Sequence, residues 1–308
     1  MPLKATFLGA PDFAALQAER PPLIVDSWLA AGSVTLLFGP PSAGKTHLTI
    51  SMARAIAHGE PLWGVYPTQK SRVLIVQADM NTSLYQERVR PNAAALGSNV
   101  AVLATDGMPF DVTALKPSDP IIKAVNEFAP GIIFVDTLRK SHNLDENDSN
   151  APDKVYSTWR ALFPGAALVF LHHSRKMPMD TKDLTAVVRE AFRGSGAWAA
   201  SADTIIMQKR VRRANNPDWM TRIYFVRTRS CQEPPAMLLR LNEAQLLLEP
   251  LAETTLEKAL LAWITANPRA GKADALTWLQ TELDADGKPI CSRATAYRAW
   301  DRLTKGER

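Results

Sequence analysis

The feature that most constrains the fold of this chain is a glycine-rich turn at residues 39–46. The turn reads Gly-Pro-Pro-Ser-Ala-Gly-Lys-Thr and matches the phosphate-binding pattern G-x-x-x-x-G-K-[ST]. An apolar run at 34–38 precedes it, and a helical pattern at 48–56 follows it. In the order strand, turn and helix, backbone N–H groups converge on the β-phosphate of a nucleotide. The sequence therefore predicts a site for a nucleoside triphosphate.

Two side chains of the turn are expected to act on the nucleotide directly. In such a turn Lys45 reaches the β- and γ-phosphate oxygens, and the hydroxyl of Thr46 ligates Mg²⁺. The predicted cofactors are therefore ATP and Mg²⁺. The predicted nucleotide-binding residues are Gly39, Pro40, Pro41, Ser42, Ala43, Gly44, Lys45, Thr46 and His47.

Length and composition indicate the class of protein. The chain has 308 residues, of which 46% are apolar and 22% charged, as in a globular protein of one large or two unequal domains. No apolar run reaches the roughly 18 residues of a membrane-spanning helix, and residues 1–8 lack the apolar core of a signal peptide. Cys231 and Cys291 lie far apart, without metal-binding spacing. We expect a reduced, cytoplasmic protein without a membrane partner.

Strand-like and helix-like segments alternate to about residue 250 and predict an α/β fold. Apolar strands are expected at residues 72–77, 100–103, 131–136 and 167–171. Because helical patterns separate these apolar runs, they predict a mainly parallel sheet with helices on both faces. An antiparallel extension is predicted from closely spaced strands at 203–207, 221–226 and 236–241.

Polar residues follow three of the predicted parallel strands, at the edge of the sheet where α/β proteins place their sites. Asp136 ends one strand and is expected to ligate Mg²⁺ opposite the turn, in the Walker B role. Asp79 follows another strand and is either the general base that activates water, or a solvated loop acid or helix cap. His172 and His173 end a third strand. A neutral imidazole there is suited to hydrogen-bond the γ-phosphate, and a structural role is the alternative.

With these motifs the chain resembles the RecA-type ATPases of the hexameric helicase group, closest to the RepA replicative helicases of plasmids and their relatives in mobile elements. The resemblance covers about residues 22–245. The passages that carry it are 36–46, 73–79, 134–139, 169–174 and 193–197. It implies a RecA-like P-loop NTPase core that assembles as a homo-oligomer, a hexameric ring, on DNA. It also implies a replication initiator or another replisome component as a partner.

The resemblance assigns roles residue by residue. Lys45 and Thr46 correspond to the Walker A pair. Asp136 corresponds to the Walker B acid, and His173 to the γ-phosphate sensor. Arg193 or Arg229 corresponds to the arginine finger that reaches a neighbouring subunit. In one departure, the family usually has Glu at the position of Asp79. The shorter side chain holds an attacking water less closely, which bears on the rate of hydrolysis and not on nucleotide binding.

Basic residues concentrate between residues 172 and 230, where twelve Lys and Arg stand against five Asp and Glu. Such an excess is typical of a surface that binds nucleic-acid phosphates. The densest cluster, 209–213, is either part of that surface or a solvated hairpin. In similar proteins the segment that corresponds to residues 175–192 faces the central channel of the ring. A second such loop begins after the Walker B acid. The DNA-binding residues implied for the core are Arg175, Lys176, Lys182, Arg189, Arg139 and Lys140.

Residues 251–308 are predicted to form a small helical domain after an ATPase domain at 1–250. A helix at 292–303 places apolar residues on one face and Arg298 and Arg302 on the opposite face. It follows a helix and a turn, and it resembles the recognition helix of a helix-turn-helix or winged-helix domain. This resemblance implies contact of Arg298 and Arg302 with duplex DNA. Docking to a protein, or packing alone, is the alternative.

Together these features predict a ring-shaped, ATP-driven DNA helicase or translocase. It would move on single-stranded DNA in the replication of a plasmid, phage or mobile element. The first alternative is a DNA-binding regulatory or assembly ATPase without unwinding activity. The second is a nucleotide-bound scaffold or adaptor, in which Asp79 supports little turnover.

Overall fold

A computed structural model describes residues 8–15, 20–174, 196–213, 216–229, 231–251, 260, 263–268, 270–281, 291, 296 and 300. Its strands are β1 (Leu23–Val25), β2 (Leu29–Ala30), β3 (Val34–Gly39), β4 (Val73–Gln77), β5 (Val100–Ala104), β6 (Ile132–Asp136), β7 (Ala167–His173), β8 (Thr204–Arg213), β9 (Asn216–Thr228), β10 (Met237–Asn242) and β11 (Leu247–Pro250). Its α-helices are α1 (Ala10–Ala15), α2 (Lys45–His58), α3 (Thr82–Val89), α4 (Ala93–Leu96), α5 (Pro120–Phe128), α6 (Ala151–Leu162), α7 (Gly196–Ser201) and α8 (Lys272–Thr281). Short 3₁₀ turns occupy Arg90–Asn92, Gly97–Asn99, Val112–Ala114 and Leu138–Lys140.

Nine of these strands form one sheet, in the order β11-β10-β9-β8-β3-β7-β6-β4-β5. Strands β8, β3, β7, β6, β4 and β5 run parallel to one another, whereas β9, β10 and β11 continue the sheet beyond β8 in antiparallel fashion. This confirms the predicted α/β fold with a mainly parallel sheet and an antiparallel extension. The extension begins with a longer hairpin than expected, because β8 and β9 together span Thr204–Thr228.

The central parallel strands β4, β6 and β7 begin with unbroken apolar runs, and both faces of the sheet are covered there. In β4, Ile75 belongs to one core cluster and Leu74 and Val76 to the other, as alternation along a strand requires. Helix α2 packs on the first face, and helices α5 and α6 pack on the second. The carboxyl ends of the parallel strands therefore meet at one open edge of the sheet.

The described residues after β11 form a small apolar cluster of their own. It contains the buried residues Leu260, Ala275, Leu276, Leu279 and Ala296. Trp263 and Trp278 stack beside it, with their ring centroids 5.5 Å apart. Arg298 and Arg302, predicted to contact duplex DNA, lie outside the described residues. Within the described part of the chain, no helix combines the length and apolar character that a membrane crossing requires.

Candidate nucleotide site

Residues 39–46, called the P-loop below, connect the central strand β3 to helix α2. Gly44 precedes the helix with φ 96°, in the left-handed region that favours glycine. A Cβ atom on Gly44 would lie 2.1 Å from Cη2 of Trp219, and one on Gly39 would lie 2.2 Å from the carbonyl oxygen of Gln208. The close approach of the β8–β9 hairpin therefore requires glycine at both positions, and the turn itself requires it at Gly44.

Lys45 lies at the centre of the site and is 6% exposed. Its Nζ donates to the carbonyl oxygens of Gly39, at 2.9 Å, and Pro40, at 3.0 Å. The same Nζ lies 3.3 Å from Nδ1 of His173. Burial lowers the pKa of Lys45 to about 8, while the carboxylate of Asp136 opposes that change. The ammonium group is therefore poorly solvated, which suits it to pair with a phosphate.

Thr46 and Asp136 bring two oxygen ligands together, as predicted for a magnesium site. The Thr46 hydroxyl donates to Oδ2 of Asp136 at 3.3 Å, and Asp136 is 4% exposed. Burial raises the pKa of Asp136 to about 6, and the nearby Asp79 adds to that rise. Within the described ranges no group of three or more His, Cys, Asp and Glu could hold a metal ion. One hydroxyl and one carboxylate fit Mg²⁺, which usually keeps several waters and binds substrate phosphates.

His173 joins Lys45 to Asp79. Because Nδ1 of His173 accepts from the Lys45 ammonium, its ring proton is left on Nε2. That nitrogen lies 3.7 Å from Oδ2 of Asp79. The contact with His173 lowers the pKa of Asp79 against the opposing effect of burial, so the carboxylate stays ionised. The structure thus brings together the residues predicted to be γ-phosphate sensor and general base. His172 is largely buried, which lowers its pKa to about 4.

The loop that carries Asp79 is held by the end of β4. The side chain of Gln77 accepts from the backbone N–H groups of Asp79, at 2.6 Å, and Met80, at 3.2 Å. Asp79 does not cap the following helix, because the Asn81 side chain accepts from the N–H of Ser83 and takes that position. The helix-cap alternative for Asp79 is therefore wrong, and Asp79 instead lines a cavity beside the P-loop.

These groups surround a cavity of about 370 Å³ between the P-loop and helix α3. Three further residues, Met80, Arg88 and Trp219, also line it. None of these three residues belongs to a motif identified in the sequence above. Arg88 is nevertheless spaced three residues from the buried Tyr85, which indicates that both lie on the inward face of α3. Trp219 has no local signal, because it reaches the P-loop only when β9 joins the sheet.

The β8–β9 hairpin is joined to the P-loop by a hydrogen bond. The Thr221 hydroxyl lies 3.0 Å from the carbonyl oxygens of Ala43 and Lys209. The guanidinium of Arg210 lies 5.4 Å from the ring centroid of Trp219, within cation–π distance. The first two residues of the basic cluster 209–213 therefore lie on a strand next to the P-loop.

The other predicted site residues lie away from the cavity or outside the described residues. The guanidinium of Arg229 contacts Oδ1 of Asp203 at 3.3 Å and donates to the Ala200 carbonyl at 2.7 Å. Asp203 also accepts from the N–H of Val34, so this contact lies at the start of β3, whereas the P-loop of the same chain follows the other end of β3. Arg139 pairs with Glu146 at 3.7 Å, and the Lys140 ammonium donates to the Gly107 carbonyl at 3.2 Å. The predicted residues outside the described ranges are Arg175, Lys176, Lys182, Arg189 and Arg193.

Known proteins resemble this chain in sequence and in fold. A family model described as an AAA domain matches residues 2–179. The ATPase domain of G40P superposes with a TM-score of 0.52 and 15% sequence identity, over 71% of this chain and 85% of that domain. The flagellar accessory protein FlaH from Methanocaldococcus jannaschii gives a TM-score of 0.46 and 11% identity, over 72% of this chain and 91% of FlaH. At 15% identity the likeness to G40P concerns the fold, which is that of a RecA-like ATPase.

Proposed function

Since this chain belongs to the AAA domain family and is a P-loop ATPase with a RecA-like core, we propose that it is an ATP-driven DNA translocase of the ring-forming, RepA-type helicase class. In this proposal it moves on single-stranded DNA during replication of a plasmid, phage or mobile element. The observation that carries it is the position of His173, which contacts the P-loop lysine and is the last residue of β7. The chain then runs directly into the segment 175–192, which contains Arg175, Lys176, Lys182 and Arg189.

Hydrolysis follows from groups that the site already holds. Lys45 offers its charge to the β- and γ-phosphate oxygens, and Asp79 accepts the proton of an attacking water. When bound, Mg²⁺ would be held by Thr46 and Asp136 and would neutralise phosphate charge. Asp79 is only partly buried, so a water molecule can reach its carboxylate from the cavity.

Coupling to DNA would run through His173. Departure of the γ-phosphate removes an anion from beside His173, whose ring also lies against Lys45 and Asp79. A small shift of that ring displaces the segment that follows β7. Arg175, Lys176, Lys182 and Arg189 in that segment would then change their grip on the DNA phosphates, with Arg139 and Lys140 from the neighbouring loop. Residues 251–308 would supply a second contact, to duplex DNA, through Arg298 and Arg302.

Neutralising Arg175, Lys176 and Lys182 together is expected to abolish the stimulation of the ATPase by single-stranded DNA and to leave basal hydrolysis unchanged. These cations would bind phosphates without reading bases, so DNA affinity should also lose much of its salt dependence. The measurement is ATPase rate against DNA concentration at several salt concentrations. The matched control removes three exposed lysines on the α5 and α6 side, Lys116, Lys123 and Lys154. Equal stimulation in the two triple variants would contradict a DNA-binding role for this segment.

If an arginine finger acts in trans within a ring, a subunit without it should inactivate the nucleotide site of its neighbour. Arg193→Ala or Arg229→Ala subunits, mixed into parent protein, should lower ATPase activity more steeply than dilution does. Because Arg229 also pairs with Asp203 in its own chain, Arg160→Ala is the control: Arg160 pairs with the same carboxylate at 3.3 Å. Arg160→Ala should follow simple dilution. Linear mixing curves for both Arg193→Ala and Arg229→Ala would argue for a self-contained site.

One observation favours a second candidate, a nucleotide-bound switch or scaffold. Asp79 is one methylene shorter than the Glu usual in the resembling family, and its carboxylate already lies beside His173. A DNA-stimulated ATPase assay separates a motor or regulatory ATPase from such a switch. Unwinding of a forked duplex separates the helicase from an ATPase that only assembles on DNA or regulates.

A further inference from the structure

Helix α7 contacts the loop that follows strand β6, residues 137–146, which is called the β6 loop below. The contact is made by Trp198, whose ring stacks on the imidazole of His142 with the ring centroids 5.1 Å apart and the planes 16° from parallel. Nε1 of Trp198 donates to the carbonyl oxygen of Glu146 at 3.2 Å. His142 is fully buried, and Trp198 is 2% exposed. One buried side chain of α7 therefore holds the β6 loop at two points.

The groups in this contact favour one fixed arrangement. Burial lowers the pKa of His142, so the imidazole is neutral and packs as an aromatic ring. Aromatic pairs are attractive at centroid distances of about 4.5–7 Å, and the observed stack lies in that range. The indole N–H of Trp198 would cost free energy if it were buried without a partner, and the Glu146 carbonyl supplies that partner. The β6 loop and α7 are therefore held together as one packed unit.

The β6 loop begins at the nucleotide site. It follows Asp136, the predicted magnesium ligand, without any intervening residue. Its first turn is buried and internally bonded, because the hydroxyl of Ser141 donates to the carbonyl of Leu138 at 2.8 Å. The carbonyl of Lys140 also accepts from the N–H of Phe110 at 2.7 Å. Since close-packed structure transmits displacement, a shift of Asp136 on nucleotide binding would be passed along this loop to the stacked imidazole.

Helix α7 connects the same contact to the DNA-binding region of the proposed function. In sequence the helix comes shortly after the segment 175–192. Its C-terminal end is held by β9, where Arg227 and Arg229 donate to carbonyl groups at the end of the helix. The hydroxyl of Ser201 holds the same end to α6 by donating to Asp153 at 3.0 Å. The tryptophan lies nearer the N-terminal end of α7, so a displacement that enters from the preceding segment reaches the stack before it reaches these anchors.

We propose that Trp198 is a positioning residue that couples nucleotide binding to DNA binding by tying the β6 loop to α7. A nucleotide acts on this loop at Asp136, whereas DNA would act on it at Arg139 and Lys140. Arg139 pairs with Glu146, the residue whose carbonyl accepts from Trp198. Packed side chains that join two sites can carry such coupling without touching either ligand, and Trp198 lies outside the nucleotide cavity. The inference rests on the proposed function, because it concerns the DNA partner.

The test measures the affinity for labelled single-stranded DNA twice, once with a non-hydrolysable ATP analogue and once with ADP. The ratio of the two dissociation constants is the coupling, for which about 5- to 150-fold is typical of allosteric proteins. Trp198→Ala should bring this ratio close to one, while kcat and KM for ATP without DNA stay near the parent values. Trp198→Phe keeps an aromatic ring but loses the N–H donor, so it should retain part of the ratio.

Two further variants separate coupling from folding. His142→Ala removes the stack from the side of the β6 loop and should lower the ratio as Trp198→Ala does, which provides a second test if Trp198→Ala is unstable. Ser201→Ala is the control, because it removes a hydrogen bond between α7 and α6 and leaves the stack in place. It should keep the parent ratio. A variant whose fold alone is weakened would lose DNA affinity equally with both nucleotides, so its ratio would not change.

Three results would overturn the proposal. These are a parent ratio close to one, a parent-like ratio in both Trp198→Ala and His142→Ala, and loss of the ratio in Ser201→Ala as well. A parent protein that binds no single-stranded DNA would overturn the proposed function, and this inference with it. Coupling that is present in the parent and survives removal of the stack would overturn the inference alone, so the two failures are distinguishable.

Discussion

Asp79→Asn is expected to lower kcat for ATP hydrolysis by about 10²- to 10⁴-fold, the usual contribution of a general base, while ATP still binds. Asparagine has the same shape but cannot accept a proton from water. The loop should stay in place, because Gln77 holds it through the backbone N–H groups of Asp79 and Met80. Steady-state ATPase rates and the affinity for a fluorescent ATP analogue measure the two effects separately.

The control for Asp79→Asn is Asp106→Asn, which changes a carboxylate in the loop after the neighbouring strand β5. Asp106 accepts from the N–H of Thr82 at 3.0 Å and does not line the cavity, so kcat should stay near the parent value. Asp79→Glu restores the side chain usual in the resembling family and should hydrolyse ATP at least as fast as the parent. Hydrolysis at the parent rate by Asp79→Asn would show that another group activates the water.

Lys45→Ala is expected to reduce kcat/KM by at least about 10³-fold and to weaken ATP binding. The variant removes the cation that lies between the P-loop carbonyls and His173 and that would meet the β- and γ-phosphates. ATPase rate and nucleotide binding are the measurements, with the exposed Lys123→Ala as the control.

The fold should survive this change. Burial lowers the pKa of Lys45, so holding this charge away from water costs free energy, and this cost offsets the hydrogen bonds to Gly39 and Pro40 that alanine removes. The melting temperature of Lys45→Ala without nucleotide should therefore stay close to that of the parent. A variant that hydrolyses ATP at a rate near the parent's would refute the central position given to Lys45.

The parts of the site that could be predicted from the sequence are those that follow a strand. Lys45, Asp136 and His173 end strands or begin the helix after one, and parallel pairing brings such ends to one edge. The order of the strands could not be read in this way. Gly39 faces His173 in register and Gln77 faces Asp136, because β7 and β6 are inserted between strands that are consecutive in sequence.

Two walls of the cavity depend on packing that no local pattern indicates. Arg88 appears in the sequence as one of several charges on a polar helix, and only the burial of Tyr85 turns it inward. Trp219 becomes a neighbour of Gly44 because β8 pairs with β3 and β9 folds back along β8. The ring of Trp219 leaves no room for a side chain at Gly44, because a Cβ atom there would collide with it.

The pairing of β3 with β8 also determines the shortest fragment of this chain that can be expected to fold and bind a nucleotide. The family match ends at residue 179, whereas β8 begins at Thr204. A fragment ending at 179 would leave β3 as an edge strand, with unpaired N–H and C=O groups and an apolar surface open to pairing with other molecules. Its P-loop would also lack Trp219 and Thr221. An autonomous nucleotide-binding unit must therefore extend at least to the end of β9 at Thr228, well beyond the part by which its family is recognised.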